Sequence, residues 1–150
     1  MKVLFVCTAN TCRSPMAEEI FNKLNTDPRF LAKSAGITIV PGSFVSENSV
    51  ELLKKELNID VEYKEAIQLN ENLIDRSDLV LTMTDFGKNF IKENYPKYKE
   101  KVFSLCEYAG VEGEVTDPYG STISVYNNIY KELEGIVSLL LAKLKKDGSV

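Results

Sequence analysis

The segment Cys7-Thr8-Ala9-Asn10-Thr11-Cys12-Arg13-Ser14-Pro15 gathers thiols, hydroxyls and one guanidinium in a single short run. That residue set suits a tetrahedral anion. Backbone N–H groups of a short loop converge on a phosphate, a following helix amino terminus adds about half a positive charge, and an arginine grips two oxygens with a bidentate fork. Arg13 supplies the fork, and Thr8, Ala9, Asn10, Thr11 and Cys12 supply the loop. The same field stabilises a thiolate, which gives Cys7 an activator other than histidine. Ser14 can donate a hydrogen bond to the Cys7 sulfur, while Asn10 tolerates left-handed backbone angles and can tie the loop to its neighbours.

Transfer of a phosphoryl group to a thiolate also needs an acid for the leaving group and a base for the water that follows. Asp117, in Asp117-Pro118-Tyr119-Gly120, is a loop carboxylate able to take both parts.

Composition narrows the alternatives. The chain has 150 residues, 18 basic and 22 acidic side chains, three cysteines and no histidine. The absent histidine removes Ser-His-Asp and Cys-His pairs and histidine metal ligands. Three cysteines with a four-residue gap between Cys7 and Cys12 do not make a metal site, so neither metal nor cofactor is expected. A net charge of −4 with mixed signs gives no basic footprint for nucleic acid or an anionic membrane. The odd, sparse cysteines and the lack of a leader or a membrane-length apolar run point to a cytoplasmic protein.

The elements that position these groups are read from periodicity. Lys2 to Val6 is a buried first strand ending at Cys7, and Pro15 opens a helix whose apolar face carries Met16, Ala17, Ile20, Phe21 and Leu24. Phe30 to Ala35 is a second strand closed by Gly36, and Ser46 caps a helix with Val50, Leu53 and Leu57 on its apolar side. Asp78 to Met83 reads as a central parallel strand, followed by a helix bearing Phe86, Phe90 and Ile91. Lys101 to Leu105 repeats the strand signal, and Ser121 to Lys146 is the longest helix, with Val125 and Ile129 on its apolar side. The expected fold is therefore a single α/β domain over residues 1–150, a four-stranded parallel sheet flanked by helices on both faces, with the phosphate-binding loop after the first strand.

The loop, the Asp-Pro pair, Ser34-Ala35-Gly36 and the strand segments resemble, in order and over nearly the whole chain, the low-molecular-weight protein tyrosine phosphatases with their Cys-x5-Arg-Ser motif. The resemblance implies nucleophilic Cys7, phosphate-gripping Arg13, thiolate-supporting Ser14, loop-ordering Asn10 and general acid Asp117. It implies phosphorylated proteins or peptides as substrates, hydrolysed through a phosphocysteine. Thr11, where tyrosine phosphatases usually carry a larger aliphatic residue, is closer to the protein-arginine phosphatase subgroup. Phosphoarginine is accordingly the favoured substrate, with phosphotyrosine as the alternative. Tyr119 is expected as a wall of the substrate slot, and Phe44 at its entrance.

The sequence departs from many such relatives in having Ala9 where they place glycine, so a positive φ there would strain the cradle. Cys12 either packs under the loop or forms a reversible disulfide with Cys7. Ser34-Ala35-Gly36 is expected to be a structural strand exit. An arsenate reductase or a cysteine phosphocarrier could share the first strand and its thiol. The former resembles enzymes with two further cysteines near the third strand, and Arg13 with Asp117 favours hydrolysis over the latter. The expected assembly is a monomer without nucleic-acid or membrane partners.

Overall fold

The computed structural model describes residues 1–148. Strands β1 (Lys2–Cys7), β2 (Leu31–Gly36), β3 (Leu79–Thr82) and β4 (Val102–Ser104) form one sheet in the order β2-β1-β3-β4, with every pairing parallel. Helices α1 (Arg13–Leu24), α2 (Glu47–Leu57), α3 (Glu71–Arg76), α4 (Asp85–Asn94), α5 (Leu105–Ala109) and α6 (Ile123–Gly148) cover its two faces.

The continuous apolar run of β1 follows from that double cover, since both faces of a central parallel strand are dry. Val3, Phe5 and Cys7 enter the larger core shared with α1, α2 and α6, while Leu4 and Val6 enter the smaller one under α3 and α4. Cys7 thus ends one of the two central strands of the sheet, and its orientation is fixed by the pleat. The chain passes from β1 to β2 on one side and reaches β3 on the other side of β1. This reversal opens a crevice beyond the carboxyl ends of the strands, where α/β sheets bind ligands.

The four strands lie where periodicity puts them, to within a residue or two. Three short elements were not anticipated: α3, α5 and a 3-10 turn at Pro96–Lys101. Each is too short to show periodicity. The amino ends were nevertheless written in the chain, since Asn70 accepts from Leu73 N–H to start α3 and Ser104 with Glu107 forms a capping box for α5. Leu105, expected in the last strand, therefore opens α5.

Three apolar-face assignments are corrected, the first being Leu24, which is exposed at the carboxyl end of α1. Phe86 is 74% exposed, because α4 turns Gly87 and Ile91 inward and leaves position 86 about a quarter-turn away. Val125 likewise stays outside the buried stripe of α6, which runs through Tyr126, Ile129, Tyr130 and Leu133. No helix among the described residues is long and apolar enough to cross a membrane.

Candidate active site

The segment Thr8–Cys12 leaves the carboxyl end of β1 and enters α1 directly. The carbonyls of Cys7, Thr8 and Thr11 face the surrounding walls, accepting from the N–H groups of Ile37, Thr38 and Ser46 at 3.0, 2.9 and 2.9 Å. Cys12, at the cap position of α1, makes no capping hydrogen bond, so the first N–H groups of the helix are left for a ligand.

The left-handed residue of the loop is Asn10, at φ 58°, and Ala9 is not in that region. The strain expected at Ala9 is therefore absent, and the conformation falls on a residue type that adopts it at low cost. The Asn10 side chain explains its hold on the loop. Its Oδ1 accepts from Ile67 N–H at 2.9 Å, and its Nδ2 donates to Ser14 Oγ at 2.8 Å and Ser34 Oγ at 3.0 Å. Ser14 Oγ in turn lies 2.9 Å from Cys7 Sγ.

Ser34 is more than part of a strand exit, since it joins the support of the loop. Gly36 is there for close approach. A Cβ there would stand 2.9 Å from both Ala9 C and Asn10 N, so glycine permits the loop to lie against β2.

Arg13 is buried, and its Nη1 donates to Val115 O at 3.1 Å. Val115 N–H is bonded to Met83 O at 3.1 Å, which ties the segment leading to Asp117 to the end of β3 and to the guanidinium together. Arg13 Nη2 lies 3.6 Å from Asp117 Oδ2, and Asp117 Oδ1 accepts from Tyr119 N–H at 3.1 Å. Arg13 Nε is buried without a protein partner. A donor kept dry beside uncapped helix amides is suited to an oxyanion.

These groups open on one cavity of about 560 Å³. Cys7, Thr8, Ala9, Thr11, Cys12 and Arg13 line it from the loop, with Asp117 and Tyr119 on one side and Val40, Ser43 and Phe44 on another. Asn10 and Ser14 lie behind it, buried, as supports. Gly120, at φ 76°, closes the turn that carries Tyr119.

Val40, Ser43 and Ser46 also line the cavity, and Tyr126 stands behind Cys12. In the sequence Ser46 is legible only as a helix cap, and Val40, Ser43 and Tyr126 carry no local signal of a site. Tyr126 Oη lies 3.3 Å from Cys12 Sγ, and Cys12 Sγ lies 3.5 Å from Ser46 Oγ. Burial, then the contact with Cys12, pushes the Tyr126 phenol up to about 12. All three cysteines are free and buried. Cys106 lies in α5, away from the site, and burial raises its thiol pKa.

Such a site can hold a phosphoryl group against a thiol, with a half-exposed carboxylate at the mouth. Comparison with known proteins agrees. Residues 2–150 match the model of the family described as low molecular weight phosphotyrosine protein phosphatase. A protein-arginine-phosphatase of Bacillus subtilis is 40% identical, the match covering 98% of this chain and 99% of the relative. A solved low molecular weight protein tyrosine phosphatase from T. tengcongensis is 44% identical with a TM-score of 0.91, covering 96% of this chain and 99% of that one. A solved YwlE arginine phosphatase, a Cys-to-Ser mutant with a phosphorylated active-site serine, is 38% identical with a TM-score of 0.91, covering 98% and 97%. The chain belongs to the low molecular weight phosphotyrosine protein phosphatase family, whose members are cysteine-dependent hydrolases.

Proposed function

We propose that the chain hydrolyses phosphorylated side chains of proteins through a phosphocysteine at Cys7, and that phosphoarginine is its preferred substrate. The observation that carries the mechanism is the convergence of Cys7, Arg13 and Asp117 on one cavity. In the first step the Cys7 thiolate attacks phosphorus in line, while Arg13 and the loop amides hold the equatorial oxygens. The bond from phosphorus to the substrate nitrogen or oxygen breaks, its electron pair leaves with that atom, and Asp117 supplies the proton. In the second step the Asp117 carboxylate takes a proton from water, the water oxygen attacks phosphorus, and the Cys7 thiolate departs. The relative phosphorylated on a serine in place of its active-site cysteine supports a covalent intermediate.

The arginine preference rests on Thr11 and Asp117 lining the same cavity. A small hydroxyl leaves room for a planar guanidinium and can accept from it, and a carboxylate pairs with it. Thr8, Ala9, Asn10, Cys12 and Ser14 are loop or support residues in this reading, and Tyr119 borders the slot. The aromatic rings of Phe44 and Tyr119 at the mouth favour phosphotyrosine as a second reading, since both can pack on a phenyl ring.

Phosphate release from matched phosphoarginine and phosphotyrosine peptides decides between them, with Cys7→Ser as blank. Faster phosphoarginine cleavage that Thr11→Ile reverses is the expected result. Tyrosine preference in the wild type would discard the arginine assignment and leave the cysteine mechanism standing.

A further inference from the structure

A second depression lies outside the reaction cavity, beyond its Phe44 wall. It measures about 360 Å³ and is lined by Asp60, Val61, Glu62, Tyr63 and Lys64. Phe44 lines the reaction cavity, and its ring meets that of Tyr63 edge to face, with centroids 6.2 Å apart and planes at 84°. The two hollows therefore share an aromatic divider. We propose that the outer depression is a subsite for a basic side chain of the protein substrate, an arginine or lysine about two or three residues from the phosphorylated one. The proposal deepens the function proposed above and rests on it.

Backbone pairing sets the divider. Val45 N–H donates to Lys64 O at 3.0 Å and Ala66 N–H to Ser43 O at 2.9 Å, an antiparallel bridge that places Phe44 opposite Glu65. Tyr63 is diagonal to Phe44 across that bridge, a spacing that aromatic side chains span. Its ring is 77% exposed, so it rests on Phe44 and not in the core. A single exposed aromatic is ordinary, but this one continues the wall of the reaction cavity outward. An extended peptide advances about 3.3 Å per residue, so two or three residues carry it across the ring pair.

Charge selects the occupant. Lys64 is held by Glu18 and Glu19 at 2.5 and 3.2 Å, which leaves its ammonium no charge to offer outward. Asp60, Glu62 and Glu65 are exposed and make no ion pair among the described residues. Asp60 Oδ1 accepts from Glu62 N–H at 3.0 Å, which holds that carboxylate in the turn beside the ring. A cation gains both the electron-rich ring face and the carboxylates, whereas an apolar side chain gains the ring alone and an acidic one is repelled.

Phosphate release from matched peptides tests the subsite. The peptides share the phosphorylated residue that the wild type cleaves faster, and carry arginine, alanine or leucine about two or three residues away on either side. The wild type is expected to show about fivefold higher kcat/KM for the arginine peptide than for the alanine one, the combined worth of an exposed cation–π contact and an exposed ion pair. Raising the salt concentration should shrink that ratio. Tyr63→Ser, and separately Asp60→Asn with Glu62→Gln, should each bring it close to one.

Equal cleavage of the arginine and alanine peptides by the wild type, or a preference for leucine over arginine, would overturn the proposal. So would variants that keep the wild-type ratio or lose rate equally on both peptides. Phosphate release without an arginine preference removes the subsite alone. No release from any peptide would strike the proposed function, and the subsite with it.

Discussion

Arg13 Nη2 lies 3.6 Å from Asp117 Oδ2, with the guanidinium 5% and the carboxylate 51% exposed. The contact is longer than a hydrogen bond and sits at the edge of solvent, where an ion pair is worth little. The guanidinium is anchored elsewhere, on Val115 O, so Asp117 can turn toward a substrate while Arg13 stays in place. This asymmetry separates a fixed guanidinium from a carboxylate free to turn at the cavity mouth.

Asp117→Asn is therefore expected to lower kcat by about 10² to 10⁴, the usual contribution of a positioned acid. Stability should change by no more than about 0.5 kcal/mol, as for an exposed residue. Steady-state kinetics beside a denaturant melt checks both, and full activity would remove Asp117 from the reaction.

Gly36→Ala is expected to cost about 1–3 kcal/mol, since the added methyl meets backbone atoms of Ala9 and Asn10 that cannot yield like a flexible side chain. It should also weaken inhibition by inorganic phosphate, because the displaced atoms belong to the cradle. Unchanged stability and phosphate inhibition together would mean that β2 does not press on the loop.

Tyr126→Phe tests the packing behind Cys12. The folded phenol titrates near 12, above the ordinary tyrosine value of 10, so its stabilising share is complete below about pH 10 and is lost as pH rises through about 12. Near pH 8 the variant is expected to be about 1 kcal/mol less stable, the worth of one hydrogen bond. That gap should close as pH approaches about 12. A pH-independent difference between denaturant melts would contradict the assigned cause.

The legibility of this fold in its sequence follows element length. β1 and β3 announce themselves because strands covered on both faces must be apolar throughout, and α1, α2 and α6 span enough turns to show their stripes. α3 and α5 have six and five residues, so only their caps could be read. That Cys7, Thr8, Ala9, Thr11, Cys12, Arg13 and Asp117 share one cavity was legible because the loop is contiguous and the Asp-Pro pair, beside that loop, resembles the distant loop of the family.

Ser34 was not legible in that way. It is 24 positions from Asn10, and only the parallel register of β1 with β2 brings the two together. Tyr126 meets Cys12 across 114 positions, a contact made by helix packing that no local pattern encodes. The position of the left-handed residue, Asn10 rather than Ala9, required the backbone itself.

The central claim is that Cys7 carries the phosphoryl group during turnover. Rapid acid quench of the wild type with a phosphoarginine peptide, followed by mass spectrometry of the Cys7 peptide, tests it most directly. One phosphoryl group on Cys7, formed before free phosphate accumulates and absent in Cys7→Ser, is the predicted result. Phosphate release at full rate with Cys7 unmodified, or undiminished turnover by Cys7→Ser, would contradict it.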